Sequence, residues 1–383
     1  HCLPAPGQPG LDTRRCPPMD EIVHLRNIAW EAIGSAMVDR SECDRYWRAW
    51  TAHCLLYPKD IGSEPTASTT TDRLLTFAVA VREGQYGLGD QVKVQSVERA
   101  LRHVAQRLVL DGQPDPRRAA PGQHSLDLPI AWLIKKFRDE DPPAQPKLAI
   151  PISTITALSK NYRMTPHLDA VTDLVTIAFF YLLRVGEYTS PHRARKKKTI
   201  PLRDCDIRLW YKEEIIPHSA RLRALLQADS ATICIAHTKN GTKGAVVHHE
   251  AIGGPICPVA AVARRVANIQ QAKSGVCQLN AVFSEAGGRS QVSDRDIGIA
   301  VRWGATCDCL LTRGYTLNRI SSHSLRAGGA MAMKLSGASD STIMRVGRWS
   351  SLTYLTYIHS QIGALTAGLS KLMATQVRFQ NVG

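Results

Sequence analysis

The stretch Ile320-Ser-Ser-His323-Ser-Leu-Arg326-Ala-Gly-Gly-Ala330 is the segment around which the rest of this sequence can be organised. The spacing of His323 and Arg326 places both side chains on one face of a helix. The residues from Ala327 to Ala330 are small, so another backbone or a ligand can approach closely there. Two donors beside open backbone suit an anionic oxygen, such as that of a phosphate. A capped surface helix can carry the same pair, so the rest of the chain must decide between the two interpretations.

The charge balance favours a polyanionic partner. The chain of 383 residues carries 48 Lys and Arg against 33 Asp and Glu, which gives a formal net charge of +15. Such a surplus makes nucleic acid the first candidate partner, with a basic protein of unrelated role as the alternative. The length predicts two domains, each with its own core.

The cysteines and the hydropathy pattern restrict the class of protein. The ten cysteines include no Cys-x-x-Cys pair and no zinc spacing, so we expect reduced thiols, an intracellular protein and no metal. No apolar run reaches transmembrane length, and no secretory segment opens the chain, so we expect no membrane partner. The chain begins at His1 rather than Met, so we expect a fragment or a trimmed gene model.

Pro, Gly and apolar spacing divide the chain into four predicted segments. Residues 1–19 are rich in Pro and Gly and are predicted to be a disordered arm. Residues 20–115 contain helical patterns, residues 116–147 are predicted to be a linker with a short helix, and residues 148–383 form a larger domain. In the first domain, the helix predicted near Val92–Leu110 carries Arg99 and Arg102 opposite its apolar side. That arginine face is predicted either to contact DNA or to be merely solvated.

The larger domain brings two cationic segments close together in sequence. The apolar spacing of His167–Tyr188 predicts a buried helix, and Arg184 ends its apolar run. A cation there requires an anionic partner, either Glu187 or a surface carboxylate. The basic run that follows is predicted to contact phosphate, although it can also be a nuclear address or a solvated loop. The residues of this run that we expect to contact phosphate are Arg195, Lys196, Lys197 and Lys198.

A hairpin is predicted between two short strands, Ala231–Ala236 and Ala245–His249. Asn-Gly at the centre of their connection is a strong turn signal. Lys239 and Lys243 flank that turn, and a hairpin tip with two lysines can enter a groove of DNA, while an ordinary soluble turn is the alternative.

Taken in order, these segments resemble the boxes of the tyrosine recombinase (phage integrase) family. Leu-Leu-Arg184-Val-Gly-Glu187-Tyr is similar to the first arginine box, and Lys239 is similar to the hairpin lysine. His323-Ser-Leu-Arg326 resembles the His-x-x-Arg box, and Gly347-Arg-Trp349 with Tyr357 resembles the last box. The resemblance covers about residues 20–375, and the Cys-Pro-Val and Gly-Arg-Trp-Ser-Ser segments are most similar to the eukaryotic mobile-element branch, Crypton- or DIRS-like.

The resemblance implies a fold and partners. We expect a mainly α chain with a small antiparallel β-sheet, in which a helical, SAM-like core-binding domain precedes a mixed α/β catalytic domain. The implied partner is double-stranded DNA, bound by a homo-oligomer that is a tetramer on DNA. If the source is eukaryotic, the location is nuclear. No cofactor is implied.

The resemblance also implies a chemistry. Arg184 and Arg326 would clamp a phosphate with fork-shaped donors, and His323 would add a hydrogen bond or move protons. Lys239 would protonate the departing 5′ oxygen, and Tyr357 would attack to give a 3′-phosphotyrosyl link. Two arginines can do the electrostatic work of a metal, so none is implied.

Departures from the family pattern leave alternatives. Arg348 follows Gly347 where many members have His or Trp, so either Arg348 or Trp349 fills that position, and we assign it to Trp349. Lys243 is an alternative to Lys239 as the hairpin lysine. The alternatives in function are a type IB topoisomerase-like nicking-closing enzyme and a domesticated DNA-binding protein without catalysis. A basic helical scaffold that binds RNA lacks support, because no aromatic RNA-recognition motif is present.

Overall fold

The computed structural model of this chain describes residues 23–24, 28, 40–56, 67–86, 90–118, 120, 124–143, 145, 147–191, 200–237, 243–271, 278–283 and 288–361. The chain divides into two compact units, His1–Ala144 and Gln145–Gly383. The predicted arm, 1–19, lies outside the described residues.

The described helices of the first unit are α1 (Arg40–Leu56), α2 (Ala67–Arg82), α3 (Val94–Leu110) and α4 (Leu128–Glu140). Their apolar faces meet in one core, in which Trp50, Phe77 and Leu101 are buried. The α4 helix lies in the segment predicted to be a linker, and its inner side joins the same core through Ile130, Ile134 and Phe137. The unit therefore uses α4 to cover apolar surface that the other helices leave exposed.

The second unit is built around a buried helix. Its described helices are α5 (Ile152–Asn161), α6 (Pro166–Phe180), α7 (Val185–Tyr188), α8 (Leu222–Leu225), α9 (Pro258–Gln271), α10 (Asp294–Cys307), α11 (His323–Leu335) and α12 (Asp340–Gly347), with 3₁₀ helices at Asp204–Asp206, Leu310–Arg313, Leu317–Arg319 and Leu352–Gln361. Thr165 caps α6 by accepting a hydrogen bond from the Leu168 N–H at 3.2 Å. Every residue of α6 from Ala170 to Phe179 is buried, so this helix forms the centre of the core.

A small antiparallel sheet packs on this core. Its strands are β1 (Ile207–Tyr211), β2 (Glu214–Ile216), β3 (Ser230–His237) and β4 (Lys243–Glu250), in the order β2-β1-β3-β4. A second pair joins β5 (Ala281–Phe283) to β6 (Arg289–Gln291). The predicted fold class, mainly α with a small antiparallel sheet, is confirmed. The β3–β4 hairpin is also confirmed, and its pairing extends to His237 and Lys243.

The prediction of one continuous helix over His167–Tyr188 is wrong. The chain leaves the helix after Phe180, where Leu182 adopts a left-handed φ of 48° and the Leu183 N–H bonds to the Ala178 carbonyl at 3.1 Å. Glycine usually occupies the left-handed position in this type of helix end, so a leucine there gives no signal in the sequence. Arg184 consequently lies at the start of α7 and not at the end of a core helix.

The paired glycines of α11 allow its backbone to contact α6. A Cβ atom added to Gly329 would collide with the Phe179 carbonyl and the Leu182 side chain, and one added to Gly328 would collide with the Ile150 carbonyl. By contrast, a Cβ at Gly298 in α10 would lie 3.6 Å from the Arg302 side chain, which is an ordinary contact.

We therefore predict that Gly329→Ala lowers the free energy of unfolding by about 1–3 kcal/mol, because the helices must move apart. Gly298→Ala is the matched control, and it should be neutral or stabilising by up to about 1 kcal/mol because alanine favours helix. Urea denaturation measures both. Equal stability of the two variants would contradict the close approach of α11 to α6.

Candidate active site

The predicted helix of His323 and Arg326 is confirmed as α11, and His323 is its first residue. Arg326 lies one turn further and is buried, with 2% of its surface exposed. Its Nη1 donates to the Leu182 carbonyl and its Nη2 donates to the Gly347 carbonyl. The guanidinium group is therefore anchored to the irregular end of α6 and to the end of α12.

Trp349 lies against Arg326. The Arg326 Cζ atom is 4.2 Å from the centroid of the Trp349 ring, which is a cation–π contact. The ring covers the backbone of Gly347, where any Cβ atom would collide with it. The Gly-x-Trp pattern is thus a packing requirement, and the structure brings Trp349, rather than Arg348, to the Arg326 guanidinium.

Arg184 lies at the N-terminus of α7 and faces Glu187. The Glu187 Oε2 atom accepts the backbone N–H of Arg184 at 2.8 Å, and its Oε1 accepts the Arg184 Nη1 at 3.4 Å. The Arg184 Nη2 donates to the Arg348 carbonyl at 3.5 Å. The Arg184 side chain keeps 20% of its surface exposed, so it can still meet a ligand. The expected pairing of Arg184 with Glu187 is confirmed.

Arg348 is a buried residue that the sequence did not single out as part of the ion-pair network. It adopts a left-handed conformation at the end of α12, with φ 55° and ψ 46°. Its Nη2 donates to the Glu187 Oε2 at 2.8 Å, and both side chains are almost fully buried. No local pattern in the sequence indicates this pair, because the two residues are 161 positions apart.

His323 shares the electrostatic environment of the two arginines. Its residue reaches the surface, yet desolvation by neighbouring protein atoms lowers the pKa of the imidazole. The positive charges of Arg326 and Arg184 lower the pKa of His323 further. The neutral imidazole is therefore favoured, and it can donate or accept a proton at a bound anion.

Tyr354 is held in a buried apolar cluster with Leu182 and Ile343. Its residue is fully buried, and its hydroxyl donates to the Asp340 Oδ1 at 2.5 Å. Desolvation, together with the hydrogen bond and negative charge of Asp340, raises the pKa of Tyr354 to about 12. Tyr354 is therefore a packing residue of this unit. Tyr357 lies further along the same 3₁₀ helix, and its side chain is outside the described part of the chain.

Within the described ranges, no group of three His, Cys, Asp or Glu side chains is arranged to hold a metal ion. In the same ranges, no helix combines the length and the apolar character that crossing a membrane would require.

Comparison with known proteins gives the fold. No family model matches the sequence, and no curated protein matches it as a relative. Among solved structures, the chain is similar to the Tn1549 transposon integrase in complex with transposon right-end DNA, with a TM-score of 0.50 and 12% identity over 90% of this chain and 98% of that chain. This chain has an integrase fold.

Two further similar structures are a lambda integrase dimer bound to a COC′ core site and the XerA recombinase. The first has a TM-score of 0.44 and 8% identity, over 94% of this chain and 99% of that chain. The second has a TM-score of 0.37 and 14% identity, over 91% of this chain and 97% of that chain. At these identities, similarity concerns the fold and does not assign an activity.

The integrase fold brings together four of the predicted site residues: Arg184, His323, Arg326 and Trp349. Lys239 falls in 238–242 and the run Arg195–Lys198 falls in 192–199, both outside the described residues, and the described part of Lys243 is the backbone that begins β4.

The predicted DNA-contacting arginines of the first unit lie on the exposed side of α3. Arg102 and Arg99 are both exposed, opposite the buried residues of the helix. Arg99 pairs with Glu42 at 3.1 Å. Such a surface pair contributes little free energy, so it leaves Arg99 available for a phosphate.

Proposed function

We propose that this chain cleaves and rejoins DNA strands at specific sites through a 3′-phosphotyrosyl intermediate. The observation that carries the proposal is the meeting of Arg184, His323, Arg326 and Trp349 in a chain with an integrase fold. The net charge of +15 suits a DNA substrate. Double-stranded DNA, a tetramer on DNA and membership of the eukaryotic mobile-element branch are parts of the same proposal.

The cationic cluster suits the demands of a phosphodiester. Its non-bridging oxygens gain negative charge in the transition state, and preorganised donors stabilise that charge most effectively. Arg184 and Arg326 would supply these donors, because a guanidinium group matches the geometry of two phosphate oxygens. His323 would hold a further oxygen or relay a proton, and Trp349 would keep the Arg326 guanidinium in place.

Tyr357 would be the nucleophile and Lys239 the general acid. The Tyr357 oxygen forms a bond to phosphorus as the bond from phosphorus to the 5′ oxygen breaks, and Lys239 gives that oxygen a proton. The energy of the broken bond is kept in the phosphotyrosyl link, so resealing needs no ATP. Burial of the Tyr354 hydroxyl against Asp340 makes that tyrosine the poorer nucleophile.

A nicked duplex tests the proposal directly. Duplexes from the flanks of the gene are given a nick beside the cleavage point, so that the short 5′-hydroxyl fragment diffuses away and the covalent complex accumulates. We expect an adduct that survives SDS and disappears after protease digestion. Absence of adduct with every flanking duplex would contradict the proposal, while adduct formation with plasmid relaxation but no exchange between two DNAs would indicate a nicking-closing enzyme.

We predict that the cleavage rate is unchanged by excess EDTA. Two arginines can provide the positive charge that a metal ion provides in other phosphoryl-transfer sites, and the sequence has no zinc spacing. The measurement is the rate of adduct formation with EDTA, and with EDTA followed by Mg²⁺. Loss of the adduct that Mg²⁺ restores would disprove the metal-free mechanism.

We predict that DNA affinity falls steeply with salt, and that Lys196, Lys197 and Lys198 contribute to the slope. A protein that neutralises Z phosphates has a log–log slope of about −0.9Z on duplex DNA. Alanine at all three positions should therefore flatten the slope by roughly one unit for each lost contact. Arginine at the same positions is the control, since it keeps the charge. An unchanged slope in the alanine variant would make this run a solvated loop or a nuclear address.

A further inference from the structure

Glu187 is a buried carboxylate whose nearest cation is not Arg184. Its side chain is 1% exposed, and its Oε2 lies 2.8 Å from the Arg348 Nη2. The Arg184 Nη1 lies 3.4 Å from Oε1. A buried charge is tolerated only with a well-placed counter-ion, so Arg348 carries most of the compensation.

Arg348 has no terminal donor left for a substrate. Its Nη2 donates to the Glu187 Oε2 at 2.8 Å and to the Leu182 carbonyl at 2.9 Å. Its Nη1 donates to the carbonyls of Tyr181 and Val346, both at 3.3 Å. These contacts use both hydrogens on each Nη, and the remaining Nε is buried. Arg348 therefore cannot contact a phosphate in this arrangement.

Arg184, unlike Arg348, can still offer its guanidinium group to a ligand. Its side chain is partly exposed, and its contacts to the Glu187 Oε1 and the Arg348 carbonyl are long, at 3.4 and 3.5 Å. Such long contacts leave its guanidinium group able to turn towards a ligand. Arg348 contacts both residues of the pair: its side chain donates to Glu187, and its carbonyl accepts from Arg184.

We propose that Arg348 is a positioning residue: it neutralises Glu187 and so leaves Arg184 free to hold the scissile phosphate. The inference rests on the proposed function and adds a residue to its site. Among the described residues, Arg184 and Arg348 are the cations that pair with Glu187, so without Arg348 the Arg184 side chain would be drawn onto the buried carboxylate. Arg348→Gln should then resemble the loss of Arg184, although Arg184 is still present.

A second substitution, at Glu187, should restore part of the cleavage rate that Arg348→Gln loses. Arg348→Gln should slow adduct formation by on the order of 10²-fold, the usual effect of losing one preorganised donor. Adding Glu187→Gln removes the charge that captures Arg184, while the amide oxygen can still accept the Arg184 N–H. The double variant Glu187→Gln/Arg348→Gln should therefore recover at least about tenfold of the lost rate, as relief of an uncompensated charge predicts.

A substrate with a methylphosphonate at the scissile position supplies a second readout. This linkage lacks one charged oxygen, so it depends less on an arginine. Arg348→Gln and Arg184→Ala should both lose much less on methylphosphonate than on the normal diester. The matched control is Asp173→Asn/Arg264→Gln, which removes a partly buried ion pair of 2.6 Å between α6 and α9. The control should show no difference between the two substrates.

The outcomes separate the inference from the proposed function. Suppose that the wild type forms adduct. Arg348 is then only structural if Glu187→Gln lowers the rate of adduct formation of the Arg348→Gln variant further, or if Arg348→Gln lowers that rate equally on both substrates. If the wild type forms no adduct, the proposed function fails, and the counter-ion role is judged by urea denaturation. There, Arg348→Gln should lower the midpoint and the double variant should lie above it. A double variant with a still lower midpoint would overturn the inference.

Discussion

Tyr357→Phe is expected to abolish the covalent protein–DNA adduct, whereas Tyr354→Phe is expected to retain it. Phenylalanine keeps the ring and removes the oxygen that would bond to phosphorus, so no slower route to the same adduct remains. Tyr357 follows Gly347 by ten residues, which is the spacing in the tyrosine recombinases that the sequence resembles, and it lies in the 3₁₀ helix Leu352–Gln361. Gel analysis of nicked duplex with each variant measures the difference.

Tyr354 is a demanding control, because it is close in sequence and has a clear structural role. Its ring packs 5.7 Å from the ring of Trp349, and its hydroxyl binds Asp340 at 2.5 Å. Tyr354→Phe should lower the free energy of unfolding by about 1–3 kcal/mol, the cost of losing a hydrogen bond to a charged group. Below its denaturation range it should still form adduct. Adduct formation by Tyr357→Phe, or its absence only in Tyr354→Phe, would reverse the assignment.

Lys239→Ala is expected to slow cleavage of normal DNA by about 10²–10⁴-fold, the usual contribution of a general acid. The 5′ oxygen is a poor leaving group unless it is protonated as the bond to phosphorus breaks. The described part of the β3–β4 ladder reaches the pair His237 and Lys243, and Lys239 falls between these two residues in the sequence. Lys243 starts β4, on the strand that leaves the turn.

Replacing the bridging 5′ oxygen with sulfur separates proton donation from DNA contact. A thiolate leaves without a proton, so Lys239→Ala should cleave this DNA at nearly the wild-type rate. Lys243→Ala is the matched control, and its effect should be the same on both substrates. Equal slowing of both variants on both substrates would mean that neither lysine is the acid and that the hairpin only grips DNA.

Local patterns were sufficient for several helices, for the β3–β4 hairpin and for the order of the site segments. The α3 helix follows from apolar spacing and the β3–β4 turn follows from Asn-Gly, because both signals act within a few residues. The short strands β2, β5 and β6 escaped prediction, since three residues are too few to show an alternating pattern. The same limit hid the break in the long apolar run, where Leu182 occupies a position that usually requires glycine.

The sequence by itself determined that this chain is a basic, mainly helical protein with an ordered set of Arg, His, Lys and Tyr positions suited to a phosphodiester. Only the tertiary structure decided which charged side chains contact one another. Arg348 and Glu187 are 161 residues apart in sequence, yet they form one buried pair, and Trp349 rather than Arg348 stacks on Arg326. The physical reason is that burial makes an unpaired charge costly, and the partner that removes this cost is chosen by packing across the whole unit, not by local spacing.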